Sequence, residues 1–273
     1  MKPLEAIRFA ALLGAILTSL AAGVHPARAY QNNDYRPGFR ESQAFFDSDA
    51  MALFNRGVMY DKGQGVPQDR SEAVRWYRLA ADQGLPAAQY NLGQMYSRGE
   101  GVPQDRAEAF RWYRLSAEQG LAEAQYNLGM LYYEGNGISL DFAEARKWFQ
   151  LAATQGDPEA QNNLAAIYCL GQGVPRDNQE AMYWYRRAAE QGDSVAQYNL
   201  ANMYAQGQGV PKDSIQAHYW FSLAAAQGDQ DALAMLDRLE GKMTRAQLDE
   251  SQKLVRESRP FSISSSPGER PGN

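Results

Sequence analysis

The chain repeats a pattern with a fixed period of 36 residues. Residues 49–228 divide without insertion or deletion into five units, which begin at Asp49, Leu85, Leu121, Asp157 and Asp193. We number positions within each unit from 1 to 36. A fixed period of this length is typical of a solenoid, in which each unit is a small structural element that buries its apolar face against its neighbours. The period therefore predicts one elongated array rather than a conventional globular domain.

Each unit carries the pattern of two helices. In the third unit, the first half places Ala124, Leu128, Leu131 and Tyr132 at helical spacing, and position 9 is always small, as close approach of another helix requires. Glycine at position 15 predicts the end of this helix. Aspartate at position 21, followed three residues later by Glu or Gln, predicts the start of the second helix. Each unit is therefore predicted to be a helical hairpin.

All five tryptophans fall at position 28, on the apolar face of the second helix. They could form a ladder that stacks on a ligand, but their repetition at a core-facing position favours packing. We predict that they are structural. These residues are Trp76, Trp112, Trp148, Trp184 and Trp220.

The predicted fold class is all-α, a right-handed solenoid of five tandem hairpins with a C-terminal helical cap. The predicted repeats are 49–84, 85–120, 121–156, 157–192 and 193–228. Residues 229–258 form the cap, because apolar spacing continues after Gly228 and Thr244 with Gln247 makes a further helix start. Residues 30–48 and 259–273 are polar or rich in Ser, Pro and Gly, which predicts a flexible N-terminal segment and a disordered tail.

Residues 1–29 have the pattern of a secretory signal peptide. Lys2 and Arg8 precede an uncharged run over 9–24, and Ala27 and Ala29 flank Arg28 as a small-x-small cleavage site. The alternative is a membrane anchor, but the apolar run is shorter than the ~20 residues that a span needs. We predict cleavage after Ala29, a periplasmic or secreted location, and no stable membrane insertion afterwards.

Charge and cysteine content exclude some classes of partner and stabilisation. The full chain has a net charge of −5. Removal of the predicted signal peptide takes away three basic residues and only one acidic residue, so the mature chain is more acidic still. This acidic balance argues against nucleic acid as a partner. Cys169 is the only cysteine, so no intramolecular disulfide can form.

The repeat pattern resembles the Sel-one-like repeat, a longer relative of the tetratricopeptide repeat. The resemblance is carried by the run 88–93, Gly99, Asp105 and Trp112, and by the same positions in the other units, over about two-thirds of the chain. It implies an adaptor that binds other proteins, in secreted bacterial members an envelope, sensor or host-contact component. One branch with paired cysteines is associated with β-lactams; with Cys169 alone, this chain departs from that branch.

The residues offer little for catalysis, and we predict no catalytic, cofactor-binding or metal-binding residues. His218 is the only histidine after the predicted signal peptide, and a partly exposed helix residue is the simplest interpretation. We therefore predict a non-enzymatic protein without cofactors. A carboxylate pair could in principle hydrolyse a glycan, for example with Glu250, but such residues lie at the chain ends or in the cap.

The predicted binding surface lies on the first helices, at positions 3, 6, 10 and 13, which point away from the predicted core and differ most between units. In solenoids of this type these helices line a concave groove. Position 6 could instead brace neighbouring hairpins. The predicted partner is a protein or peptide, such as an envelope or sensor component; cell-wall glycan is the alternative, since tyrosine stacks on sugars. The predicted partner-binding residues are Phe54, Val58, Tyr90, Gln94, Tyr126, Met130, Tyr133, Tyr198 and Asn202.

Overall fold

A computed structural model describes residues 49–135 and 137–258, and every regular element among these residues is a helix. The predicted signal peptide, N-terminal segment and C-terminal tail lie outside the described residues. The twelve helices are α1 (Ala50–Lys62), α2 (Arg70–Asp82), α3 (Pro86–Arg98), α4 (Arg106–Glu118), α5 (Ala122–Glu134), α6 (Phe142–Thr154), α7 (Pro158–Leu170), α8 (Asn178–Glu190), α9 (Ser194–Gln206), α10 (Ser214–Ala226), α11 (Gln230–Glu240) and α12 (Arg245–Ser258).

The helices follow the predicted repeat, two to each unit, with α11 and α12 after the fifth hairpin. The predicted fold class, an all-α solenoid of 36-residue hairpins with a C-terminal helical cap, is confirmed. The chain forms two compact units that divide between Trp184 and Tyr185. In the first unit α1 to α7 pack as successive neighbours, and in the second unit α11 and α12 both pack against α10.

Local hydrogen bonds explain where the helices begin and end. Asp105 caps α4, because its carboxylate accepts from the backbone N–H groups of Ala107 and Glu108 at 2.9 and 3.0 Å. Gly99 ends α3 in the left-handed conformation with a φ of 71°, which glycine adopts without steric cost. Equivalent residues do the same in the other hairpins for which these caps are described. The helix boundaries are therefore set by residues close to them in sequence.

The two helices of a hairpin approach closely at position 9. A Cβ atom on Gly93 would lie only 2.8 Å from the ring of Tyr113, at position 29 of the same hairpin. This contact leaves no room for a side chain on Gly93, and it explains why position 9 carries only glycine or alanine. The predicted packing role of the tryptophans also agrees with the structure, because Trp112, Trp148, Trp184 and Trp220 are buried.

Pairs of glutamines, buried at position 5 and exposed at position 35, form a chain that joins successive hairpins. Gln125, at position 5, donates from Nε2 to the carbonyl of Ala117 in the preceding hairpin at 3.1 Å and accepts from Gln155 at 2.8 Å. Gln155, at position 35, also donates to the carbonyl of Gly120 at 3.0 Å. The same arrangement recurs around Gln197 in the second unit. Both amides thus bond backbone carbonyls at the end of the preceding hairpin, which fixes the register between hairpins.

Substitution of one buried glutamine of this chain should lower the free energy of unfolding markedly. Gln125→Ala removes a donor and an acceptor from a buried network, so we expect a loss of about 1–3 kcal/mol in the free energy of unfolding. Gln179→Ala, at an exposed position in α8, is the matched control and should change it by less than about 0.5 kcal/mol. Urea unfolding followed by circular dichroism measures both. Equal effects of the two substitutions would contradict a structural role for the glutamines.

Burial of the position 29 tyrosines predicts sensitivity to alkaline pH. Burial raises the pKa of Tyr77 and of Tyr113 above the usual value of about 10. The folded chain therefore holds these phenolic protons more tightly than the unfolded chain does. The resulting stabilisation is complete below pH 10 and is lost as pH rises above it.

We therefore expect the free energy of unfolding to fall as pH rises above 10, as measured by urea unfolding at each pH between 9 and 12. The double variant Tyr77→Phe/Tyr113→Phe should lose less stability over the same range. Phenylalanine already occupies position 29 in Phe149 and Phe221, so the fold accepts it. An identical pH dependence in the variant would show that other groups cause the loss.

Candidate functional site

The structure places the predicted partner-binding residues on the first helices of the hairpins. Seven lie in the first compact unit and are half-buried: Phe54, Val58, Tyr90, Gln94, Tyr126, Met130 and Tyr133. In the second unit Tyr198 is buried and Asn202 is half-buried. We call the side chains at positions 6, 7 and 10 of α1, α3, α5 and α7 the first-helix face; all of them belong to the first unit.

Aromatic rings at position 6 brace the two helices of their own hairpin. The ring of Tyr90 lies 6.0 Å from that of Tyr113. Phe54 pairs with Tyr77 at 5.5 Å, Tyr126 with Phe149 at 5.9 Å, and Tyr198 with Phe221 at 5.5 Å. Position 6 lies three residues before the small position 9, so both face the ring at position 29. The helical pattern predicts that position 6 points away from the core. The structure differs, because these rings pack against the second helix of their own hairpin.

Asparagines at position 7 contribute contacts that sequence reasoning missed. Asn91 acts on the hydroxyl of Tyr77, and Asn127 acts on the hydroxyl of Tyr90, because each asparagine side chain lowers the pKa of that phenol. Asn163 donates to the sulfur of Met130 at 3.2 Å. Each contact joins one hairpin to the hairpin before it. The available signal was the recurrence of asparagine at position 7 in all five units.

Polar side chains of α3 and α5 form a row on the first-helix face. The amide of Gln94 donates to the hydroxyl of Tyr90, and the amide of Asn127 donates to the backbone carbonyl of Glu123 at 2.8 Å. Gln94, Asn127 and Met130 are half-buried, so part of each side chain remains accessible to solvent. The row therefore offers amide donors and acceptors at an interval set by the spacing of the hairpins.

Three charged groups of both signs act on Tyr90 in this row. Burial is the main reason that the pKa of Tyr90 rises to about 12, and the charge of Glu123 adds to the rise. Asp157 acts in the same direction, whereas Arg98 and the bond with Asn127 oppose it. The three charged groups that act on Tyr90 therefore carry a net charge of −1, from two carboxylates and one guanidinium.

Tyr133 lies near the turn of its hairpin and is held by several contacts. Its ring lies 5.2 Å from that of Phe142 and 6.3 Å from that of Phe149. Its hydroxyl donates to Oε1 of Gln172 at 2.9 Å. Burial raises its pKa to about 12. Tyr133 therefore supports the fold, and its removal would not be a clean test of binding.

His218 is buried, so its interpretation as a partly exposed helix residue is wrong. Only 3% of its surface is exposed. Nδ1 lies 2.7 Å from Oγ of Ser251, and Nε2 lies 3.0 Å from Oε1 of Glu240. A serine, a histidine and an acid occur in this order in hydrolases, but Ser251 is fully buried and cannot meet a substrate. The cluster instead joins α10 to α11 and α12.

Cys169 is also buried, and burial raises the pKa of its thiol against the opposing charge of Arg176. A thiol in this environment is not an activated nucleophile. Within the described ranges, no cluster of His, Cys, Asp or Glu could hold a metal ion. No described helix is both long and apolar enough to cross a membrane.

Comparison with known proteins identifies the repeat. The Sel1 repeat matches residues 50–85, 86–121, 122–157, 158–193 and 194–229. These boundaries lie one residue after the ones chosen from the sequence pattern. No match was found among curated proteins.

Two bacterial structures are similar to this chain. The first is c5321, a protective antigen of uropathogenic Escherichia coli with an SLR fold; identity is 40% over 76% of this chain and 46% of that chain, with a TM-score of 0.70. This chain therefore spans less than half of the antigen. The second is a Sel1 repeat protein from Oxalobacter formigenes, with 35% identity over 78% of this chain and 88% of that chain and a TM-score of 0.69.

Sel1 repeats generally mediate protein–protein interaction. The five matched repeats cover most of the described residues, and the similar structures share the helical-hairpin fold. The chain belongs to the Sel1 repeat family.

Proposed function

We propose that this protein is a non-catalytic scaffold of the bacterial cell envelope that holds a segment of a partner protein on its first-helix face. The observation that carries this proposal is the row of half-buried amides and hydroxyls formed by Gln94, Tyr90 and Asn127 across two hairpins. The partner would be an envelope protein or a sensor component.

Variation between the hairpins supports this location. Residues that hold the hairpins together are nearly identical in all units, as at positions 4, 28 and 33. Position 10 carries a different residue in every unit: Val58, Gln94, Met130, Ala166 and Asn202. Ala166 is buried, but the other four are half-buried, and the diversity at these exposed parts supports recognition of a specific ligand.

The chemistry of the row fits an extended polypeptide. Amide side chains both donate and accept, so Gln94 and Asn127 can pair with the N–H and C=O groups of a peptide backbone. Glu123 and Asp157 act on Tyr90 at the centre of the row, and this charge favours a segment that carries Lys or Arg. The proposed ligand is therefore an extended, basic segment.

The structure supports a protein ligand more than a glycan. Stacking on a sugar needs an accessible aromatic face. The rings of Phe54, Tyr90 and Tyr126 instead pack against the second helices of their hairpins. Burial of Ser251 likewise gives no support to a hydrolase built on His218.

The proposed envelope location depends on residues 1–29, which lie outside the described residues. Similarity to a bacterial protective antigen supports it. We expect the protein in the periplasmic or secreted fraction, with a mature N-terminus at Tyr30. Cell fractionation followed by N-terminal mass spectrometry measures both. Substitution of Ala27 and Ala29 by Lys is the control and should block processing; an uncleaved wild-type chain in the cytoplasm would contradict the proposal.

A pair of substitutions tests the first-helix face. Gln94→Ala/Met130→Ala removes two side chains of the row, so we expect at least a tenfold loss of partner capture when tagged protein is crosslinked in cells and analysed by mass spectrometry. Partners lost in this variant are the relevant ones, and circular dichroism confirms that it is folded.

The matched control, Leu79→Ala/Leu151→Ala, truncates two exposed side chains on second helices and should leave capture unchanged. Equal capture by both variants would contradict the proposed face. Recovery of cell-wall fragments alone would favour the glycan alternative.

A further inference from the structure

The turns of the first two hairpins are closed by a polar pattern. Gln68, at position 20, donates to the carbonyl of Asp61 at 2.7 Å, and Gln104 donates to the carbonyl of Ser97 at 2.8 Å. The acceptors are at position 13. Position 22 carries an exposed arginine in both hairpins. In the first two hairpins, this turn therefore carries hydrophilic residues at positions 13, 20 and 22.

The third hairpin replaces all three residues with large apolar or aromatic ones, namely Tyr133, Leu140 and Phe142. Leucine cannot donate the hydrogen bond that glutamine makes in the first two turns. Leu140 is instead 54% exposed, the largest value for a large hydrophobic residue among the described residues. Leucine at position 20 therefore lacks the hydrogen bond that closes the turn, and its apolar side chain is exposed to water.

Contacts of Tyr133 link the third turn to the fourth hairpin. The ring of Tyr133 contacts that of Phe142, and its hydroxyl bonds Gln172. Leu170, two residues before Gln172, is 42% exposed. At its position, number 14, the other hairpins carry Lys, Arg, Glu or Gln. We call Tyr133, Leu140, Phe142 and Leu170 the turn patch; all four lie in the first compact unit.

The charges beside the turn patch are basic on both sides. Arg106, exposed at position 22 of the second hairpin, lies against the third turn, where its Cβ would be 2.7 Å from a Cβ built on Gly137. Arg176 is exposed at position 20 of the fourth hairpin, where its Nε donates to Oδ1 of Asn178 at 2.9 Å. Of the nearby carboxylates, Asp141 accepts two N–H groups at the start of α6, and Glu134 is half-buried. The flanking charge thus complements an acidic ligand.

We propose that the turn patch is a second interaction surface, which binds an apolar side chain of a partner protein whose neighbouring residues are acidic. Leu140 and Leu170 would contact the apolar anchor, and Arg106 and Arg176 would pair with the flanking carboxylates. The proposal shares with the function above only the premise that the protein binds another protein. It differs in surface and in the charge of the segment bound.

Site-specific photocrosslinking in cells tests the turn patch. p-Benzoylphenylalanine replaces Phe142 in the full-length protein, and mass spectrometry identifies the crosslinked segment. We expect a segment of another protein with a large apolar residue and at least two Asp or Glu residues beside it. Adding Leu140→Gln should reduce this crosslink at least tenfold while maintaining the melting temperature, because glutamine restores the residue that closes the first two turns.

Leu79→Gln is the matched control, since Leu79 is an exposed leucine on α2, and it should leave the crosslink unchanged. The proposal is overturned by no protein crosslink, by a crosslink insensitive to Leu140→Gln, or by a basic target segment. A crosslink to this same chain, whether a second copy or residues 30–48 or 259–273, also overturns it. A crosslinker that replaces Gln94 separates the two proposals. If a partner protein is crosslinked at position 94 but not at position 142, only the turn-patch proposal is refuted.

Discussion

The glutamine chain determines how each hairpin meets the next. Gln125 and Gln155 donate to the backbone carbonyls of Ala117 and Gly120 at the end of the preceding hairpin, and they bond each other. A buried amide tolerates little displacement, because an unpaired polar group costs more than the bond contributes. The glutamines therefore add directional contacts to an interface that is otherwise built from alanine, leucine and aromatic side chains. The positions of the first-helix face and of the turns follow from this register.

With the register set, the informative residues are those that depart from the repeat. Gln94 and Met130 differ from the residues at position 10 in the other units without disturbing the core. Leu140 departs further, because it replaces a residue with a visible structural role in the first two turns. Equivalent positions of the hairpins can thus be compared within one protein, and the comparison shows which residues the fold requires.

Not every departure is functional, and His218 shows the difference. Its position carries Val74 in the first hairpin and Met182 in the fourth, both buried. In the last hairpin the same position meets Ser251 and Glu240. A polar side chain is suited there because the cap supplies hydrogen-bonding partners. The departure therefore follows from the end of the array and does not mark a ligand site.

The sequence alone determined the hairpins, their number and their ends, because capping aspartates, terminating glycines and apolar spacing act over a few residues of the chain. It also identified the first helices as the variable surface. Only the tertiary structure decided that the ring of Tyr90 braces its own hairpin, that Asn127 reaches back to it, and that His218 is buried. These contacts join residues that are distant in sequence, and a helical pattern gives only the direction of a side chain. What that side chain meets depends on the neighbouring helix, which no local pattern specifies.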